Sequence, residues 1–308
     1  MNTKRPNMHS LRIFLFLALL FSFLPATYGQ SRITPSDVLA QVTQINKEIA
    51  IIKRHYKISK KVVVKPFVAK LTPRHSWQKS YLVMLKLNVI RQKNGLSRFP
   101  IGSMEPLPDI APELLYAQSQ RILTELTLLK TRLGILKKVS KAPKYFNKKP
   151  IDVFNGLHEA SLNLELISHE SIDPTYVFAE VLRVYEDLSQ IVISKGIRDD
   201  SYPPSKVLSV TPKDSLKATF DLMAHIQKLQ KKAGIKTIDF SPFKKGKEVH
   251  PSDVLNMVGM CLAEIQTVKA HMEIKHLTPA AEYHESKTPS DVHQLLRWAS
   301  LKIQKITI

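Results

Sequence analysis

The 308-residue chain has one cysteine, Cys261, so no disulfide can form within it. Cys261 sits in an apolar helical stripe, which marks a core residue rather than a reactive thiol. Glycine is scarce, nine in all, which leaves little material for a loop that cradles phosphate on backbone N–H groups. The patterns HExxH, CxxC, GxSxG and GxxxxGK are all missing, and with them the common zinc, redox, acyl-transfer and nucleotide signatures. His271, His276, His284 and His293 lie near one another in sequence but lack ligand spacing. Glu165 and Glu170 are not set as a catalytic pair. These gaps exclude the readily recognised enzyme classes, and the expectation is a non-enzyme with no cofactor and no metal. Acidic residues are also short, 26 against 46 Lys and Arg, for a net charge of +20. Past residue 24 no apolar run approaches the ~20 residues that span a bilayer.

The N-terminus has a separate logic. Lys4, Arg5 and Arg12 precede the apolar run Ile13–Leu24, and Pro25 and small residues follow it. This is the layout of a secretory signal peptide, with cleavage expected after Gly29. Residues 1–29 are assigned to it, residues 30–172 to a first four-helix block and residues 173–308 to a second. Localisation is expected to be periplasmic or secreted.

The pentapeptide TPSDV occurs at Thr34–Val38 and again at Thr288–Val292, with HPSDV at His250–Val254 and TPKDS at Thr211–Ser215. It reads as a helix start. Threonine is the N-cap, proline fits the first helical position, and the aspartate reaches back as in a capping box. Thr34, Asp37, Thr211, Asp214, Asp253, Thr288 and Asp291 are therefore assigned to capping. Prolines before amphipathic runs stand at 35, 73, 112, 150, 174, 212, 251 and 289, a repeat of about 38 residues with one short step. A shift of 139 residues brings the first four onto the last four, and also Glu125 onto Glu264 and Lys130 onto Lys269. Gly95, Gly134, Gly196 and Gly234, each followed by Leu or Ile, read as stops. Lys57 and Glu273 replace glycine at two stops, where looser caps are expected.

The fold class is thus all-α and internally duplicated: eight amphipathic helices of ~22 residues in two four-helix halves. Apolar residues at alternating three and four spacing, as in Val38, Val42, Ile45, Ile49 and Ile52, give each helix a coiled-coil-like seam. The Pro-rich linkers run to ~16 residues, long for antiparallel neighbours. Extended at about 3.1 Å per residue they can retrace a helix, so parallel helices within each half are expected. Units four and five, joined only by Ser168–Asp173, are expected to form an antiparallel hairpin.

Cations gather in the linkers. Lys137, Lys138, Lys141, Lys144, Lys148 and Lys149 form one row, and Lys244, Lys245 and Lys247 another, with Tyr145, Phe146, Phe240 and Phe243 among them. Such a mixture can meet an anion and stack on its rings. The function expected is an exported, non-catalytic scaffold or adaptor of the cell envelope. Its partner would be an envelope protein or an anionic envelope polymer or lipid surface, rather than nucleic acid. The alternatives are a small-molecule-binding or sensory module, and an enzyme with an unrecognised site. A pocket protein should bury several polar groups converging on a cavity; a scaffold should bury few.

Overall fold

The structure, a computed structural model, describes residues 32–64, 66–101, 105, 110–169, 172–244, 246 and 248–306. The expected signal peptide lies outside them. Ile33–Ile308 form one compact unit. Its described residues form eight α-helices, and each starts at one of the eight prolines: α1 (Pro35–His55), α2 (Pro73–Lys93), α3 (Pro112–Arg132), α4 (Pro150–Ser168), α5 (Pro174–Ser194), α6 (Pro212–Lys232), α7 (Pro251–His271) and α8 (Pro289–Gln304). A short 3-10 turn spans Ser241–Phe243, and no strand occurs among the described residues.

The starts follow from the local sequence. Asp37 accepts the Thr34 N–H at 2.8 Å, Asp214 the Thr211 N–H at 2.9 Å, and Asp291 the Thr288 N–H at 2.9 Å. Asp253 accepts the His250 N–H at 3.0 Å. At α2 the same job falls to His75, whose Nδ1 accepts the Thr72 N–H at 3.0 Å. At the other end, Gly95, Gly134, Gly196 and Gly234 all have φ between 64 and 71°. The residue after each glycine closes the helix, as in Leu96 N–H to Arg91 O at 3.0 Å. Lys57 and Glu273 do not give looser caps. They take the same left-handed conformation, φ 56° and 57°, and Ile58 and Ile274 make the same closing bond, at 3.1 and 2.9 Å. The side chain adds backbone strain there, and the hydrogen bonds survive it.

All four helices of each half point the same way. Pro35, Pro73, Pro112 and Pro150 line one small hollow, and Pro174, Pro212, Pro251 and Pro289 line another. At the opposite end Arg132 Nε donates to Asn94 O at 2.9 Å, and the Tyr56 hydroxyl meets the Asn94 side chain at 3.0 Å. In the first bundle α1 and α2 each pack on α3 and α4; in the second, α5 and α6 each pack on α7 and α8. Parallel packing sets like dipole ends side by side, which is unfavourable. Acidic first turns (Asp37, Glu113, Asp152, Asp214, Asp253, Asp291) and basic last turns (Lys53, Arg54, Lys93, Arg132, Lys231, Lys232) offset it, each by about 0.3–1 kcal/mol.

The linkers run back along the bundles as external segments. Among the described residues they have no strand partner, so their peptide groups need others. Long side chains from the helices supply them: Asn88 to Phe99 O at 2.9 Å, Gln227 to Ile238 O at 2.7 Å, Gln294 to Pro204 O at 2.7 Å, and Lys47 to Lys141 O at 2.9 Å. Part of the chain's cationic excess is therefore structural.

The bundles meet through α2 and α7, which run antiparallel. His75, early in α2, reaches Glu264, late in α7, at 2.9 Å; Lys79 reaches Asn256 at 3.0 Å. The approach is close: a Cβ at Gly259 would lie 3.2 Å from the Cβ of Gln78. The expected α4–α5 hairpin does not form. The two helices run in opposite directions, but α2 and α7 make the extensive contact between bundles. The reason is that α2 carries apolar residues on more than one face. Leu82 and Leu85 join the core of the second bundle, while Met84 and Leu87 join that of the first.

Several contacts recur 139 residues on. Lys130–Glu48 and Lys269–Asp187 are both 2.6 Å ion pairs. Ser76 donates to Pro150 O at 3.1 Å, and Ser215 to Pro289 O at 3.5 Å. A tandem duplication would leave this pattern.

Candidate functional site

The linker between α3 and α4 carries the first lysine row and retraces α1 from its middle to its first turn. Lys130 of α3 donates to Lys137 O at 2.7 Å and Lys47 to Ser140 O at 3.2 Å. Further back, the Tyr145 and Thr43 hydroxyls lie 3.1 Å apart, and the Lys148 N–H donates to Ser36 Oγ at 3.1 Å. Pinned at four levels, the segment is a fixed ridge. Lys137, Lys138, Lys141, Lys144 and Lys149 are exposed on it, and among the described residues none of their ammonium groups pairs with a carboxylate. Lys148 lies over the Tyr145 ring at 5.8 Å, and Phe146 between them is 75% exposed. Five cations and one open ring thus share the ridge, a surface able to attract an anion and stack on a planar part of it.

The second row is different. Lys244 is exposed and lies 5.9 Å from the Phe220 ring of α6; Lys245 and Lys247 lie outside the described residues. Phe240 and Phe243 are buried. Phe243 stacks on Phe67 at 4.4 Å and closes the seam between the bundles, so these rings are not free to stack on a ligand.

Sequence reasoning missed the most concentrated electrostatics, which sit where the bundles touch. Glu105, on the linker after α2, is fully buried. It accepts from Arg74 Nη1 at 3.0 Å and Gln78 Nε2 at 2.6 Å, and from Arg183 Nη2 of α5 at 3.1 Å. Burial pushes the Glu105 carboxyl above its ordinary range, while Arg183 and Arg74 pull it back. Arg183 also holds Glu180 at 2.8 Å and Pro279 O at 2.9 Å. Nearby, Asp187 takes Lys269 at 2.6 Å, Thr278 at 2.6 Å and Gln266 at 2.7 Å. His75 accepts on Nδ1, so its proton is placed on Nε2, which donates to Glu264; Gln230 completes that carboxylate at 2.7 Å. One signal was legible: Glu264 and Lys269 repeat Glu125 and Lys130. Their partners, far away in sequence, were not.

A scaffold was expected to bury few polar groups, and this chain buries many. The charged ones bind one another rather than converge on a large cavity, while Gln230 Oε1 and Gln266 Oε1 are buried without a hydrogen-bond partner. The polar hollow beside them, lined by Lys79, Lys86 and Glu165, measures about 20 Å³, room for about one water. Lys86 reaches Glu165 at 2.6 Å; burial raises the pKa of Glu165, but Lys86 and Ser252 outweigh it and the net shift is downward. Glu170 lies outside the described residues. Cys261 is fully buried, and burial, then Glu264, pushes its thiol well above the ordinary range, which suppresses the reactive thiolate. The described residues contain no group of three or more His, Cys, Asp or Glu placed to hold a metal ion, so His271, His276, His284 and His293 are not gathered. No described helix is long and apolar enough to cross a membrane. The chain matches no family model, no curated protein and no solved structure.

Proposed function

We propose that the protein is an exported, non-catalytic helical scaffold of the cell envelope that binds an anionic partner through its basic linkers and helix faces. The observation that carries this reading is the α3–α4 linker. Its lysines project from a segment pinned along α1 and lack carboxylate partners, so little ordering is required when an anion arrives. The many buried polar groups run against a scaffold; in its favour, the charged ones pair with one another beside a hollow of only about 20 Å³. Two bundles of parallel helices, each tied by its own linkers, supply rigid faces on which partners can be held apart. Export rests on the basic, then apolar, then small-residue order of residues 1–29.

The test is affinity capture from native envelope at low and high salt. The bait is wild type or a variant with Lys137, Lys138, Lys141, Lys144, Lys148 and Lys149 changed to Gln. Salt-sensitive capture lost in the variant is the expected result. Capture indifferent to both salt and variant contradicts it.

A further inference from the structure

The two bundles differ in one groove. In the first, the furrow between α2 and α4 is plugged by the chain itself. Leu82, Lys86, Ser161 and Leu162 line what remains, about 20 Å³, and Phe67, Phe243 and the first turn of α7 fill the rest. At the positions 139 residues on stand Asp221, His225, Ser300 and Leu301, in the furrow between α6 and α8. There the plug is missing among the described residues. Lys206 replaces Phe67 and turns away to pair with Asp291 at 2.7 Å. Two hollows of about 420 and 270 Å³ stay open, sharing His225 as a wall.

The chemistry of the open furrow is readable. Ala218, Ala224, Leu301 and Ile303 line its apolar parts, and Leu301 is 43% exposed. Arg297, Lys228 and Lys232 stand at its rim. Where the first furrow carries Glu165 against Lys86, the second carries neutral Gln304 against His225, at 3.1 Å. One acid, Asp221, faces these cations. The first furrow shows what such a shape accepts: stacked aromatic rings beside Asp253 on an incoming helix turn. A second copy of this chain is a poorer fit. On α6, Lys217 and Asp221 stand where α2 has Gln78 and Leu82, and exposed polar residues Gln120 and Thr124 occupy the matching face of α3.

We propose that the α6–α8 furrow docks a partner polypeptide segment bearing aromatic side chains beside carboxylates. The rings lie on Ala218, Ala224 and Leu301, and the carboxylates meet Arg297, Lys228 and Lys232. This deepens the scaffold reading by naming a site and partner chemistry separate from the α3–α4 linker.

The test uses the purified chain and a fluorescent peptide of two phenylalanines set among four glutamates, read by polarisation at low salt. The expected result is saturable binding, weakened at least about tenfold by Ala224→Trp, which fills the furrow, and by Lys228→Glu with Lys232→Glu. Peptides with glutamine for glutamate, or alanine for phenylalanine, should lose as much. The six-lysine linker variant should bind the peptide like wild type, so failure of the linker reading is seen separately. Thermal melts by circular dichroism show that each variant folds. Absence of saturable binding overturns the proposal, as does binding that Ala224→Trp leaves intact or that only the linker variant loses. If Ala224→Trp weakens binding to anionic phospholipid vesicles and not to the peptide, the furrow reads a lipid and the proposal fails.

Discussion

Arg183 of α5 donates to Glu105 at 3.1 Å with both side chains sealed from solvent, so one bundle clamps the linker leaving the other. Arg74 holds the second carboxylate oxygen at 3.0 Å from the first bundle's side. Glu105→Ala would leave two buried guanidiniums without this acceptor. Removing one partner of a buried ion pair costs about 3–5 kcal/mol, and urea unfolding should show a loss of that size. A loss of about 0.5 kcal/mol, ordinary for surface positions, would mean that the contact does not hold the bundles together.

The helix starts, stops and parallel sense were legible because they are local. A Thr-Pro-x-Asp start and a Gly-Leu or Gly-Ile stop act within a few residues, and linker length alone favours parallel over antiparallel packing. The contact between bundles was not legible. Arg74, Lys79 and Lys86 look like a solvated face of α2, and only the distant Glu105, Asn256 and Glu165 make them interior. Phe240 and Phe243 misled for the same reason, since lysines beside them suggested a surface that Phe67, Phe154 and His75 of the first bundle cover. The short α4–α5 connection suggested a hairpin, but the apolar outer face of α2 decided the docking. The ridge lysines were visible as a row; what pins them, Lys47, Thr43 and Ser36, belongs to a helix about a hundred residues earlier.

The two stops without glycine should be improvable. Lys57 and Glu273 sit at φ 56° and 57°, where a Cβ costs roughly 1–2 kcal/mol. Lys57→Gly and Glu273→Gly should each stabilise the fold by about 1 kcal/mol after glycine's extra unfolded-state entropy is counted. A lower melting temperature in either variant would count against the cap assignment.

At the starts the change runs the other way. Thr34→Ala and Thr288→Ala each remove a hydroxyl that accepts the N–H of the third helical residue at 3.4 Å, and each should cost about 1 kcal/mol. Partner binding should survive wherever the variant remains folded; a folded variant that has lost binding would give these threonines a direct role.

Acid should unfold the chain through particular carboxylates. Burial pushes Asp199 up, but Lys302 and the Ser201 hydroxyl and N–H outweigh it and bring its pKa to about 2. Asp291 is likewise raised by burial but lowered further by Lys206 and Thr288, again to about 2. Both start from 3.8. A folded value below the unfolded one means that the folded chain binds fewer protons between them. The stabilisation is therefore full above about pH 4 and lost as pH falls toward 2. Melting temperature should drop across that window, and Asp199→Asn should lower it at pH 7 while flattening the drop. An equally steep acid limb in the variant would assign the effect elsewhere.

The most direct measurement is co-sedimentation with anionic vesicles or lipopolysaccharide, across salt, for wild type and the six-lysine-to-glutamine linker variant. Screening shortens charge interactions to about 10 Å at 0.1 M salt and about 3 Å at 1 M. The account predicts strong binding at about 20 mM salt, loss by about 500 mM, and weaker binding by the variant with an unchanged helical signal. No binding at low salt, or binding equal in the two proteins, would contradict the claim that the ridge along α1 is an anion-binding surface.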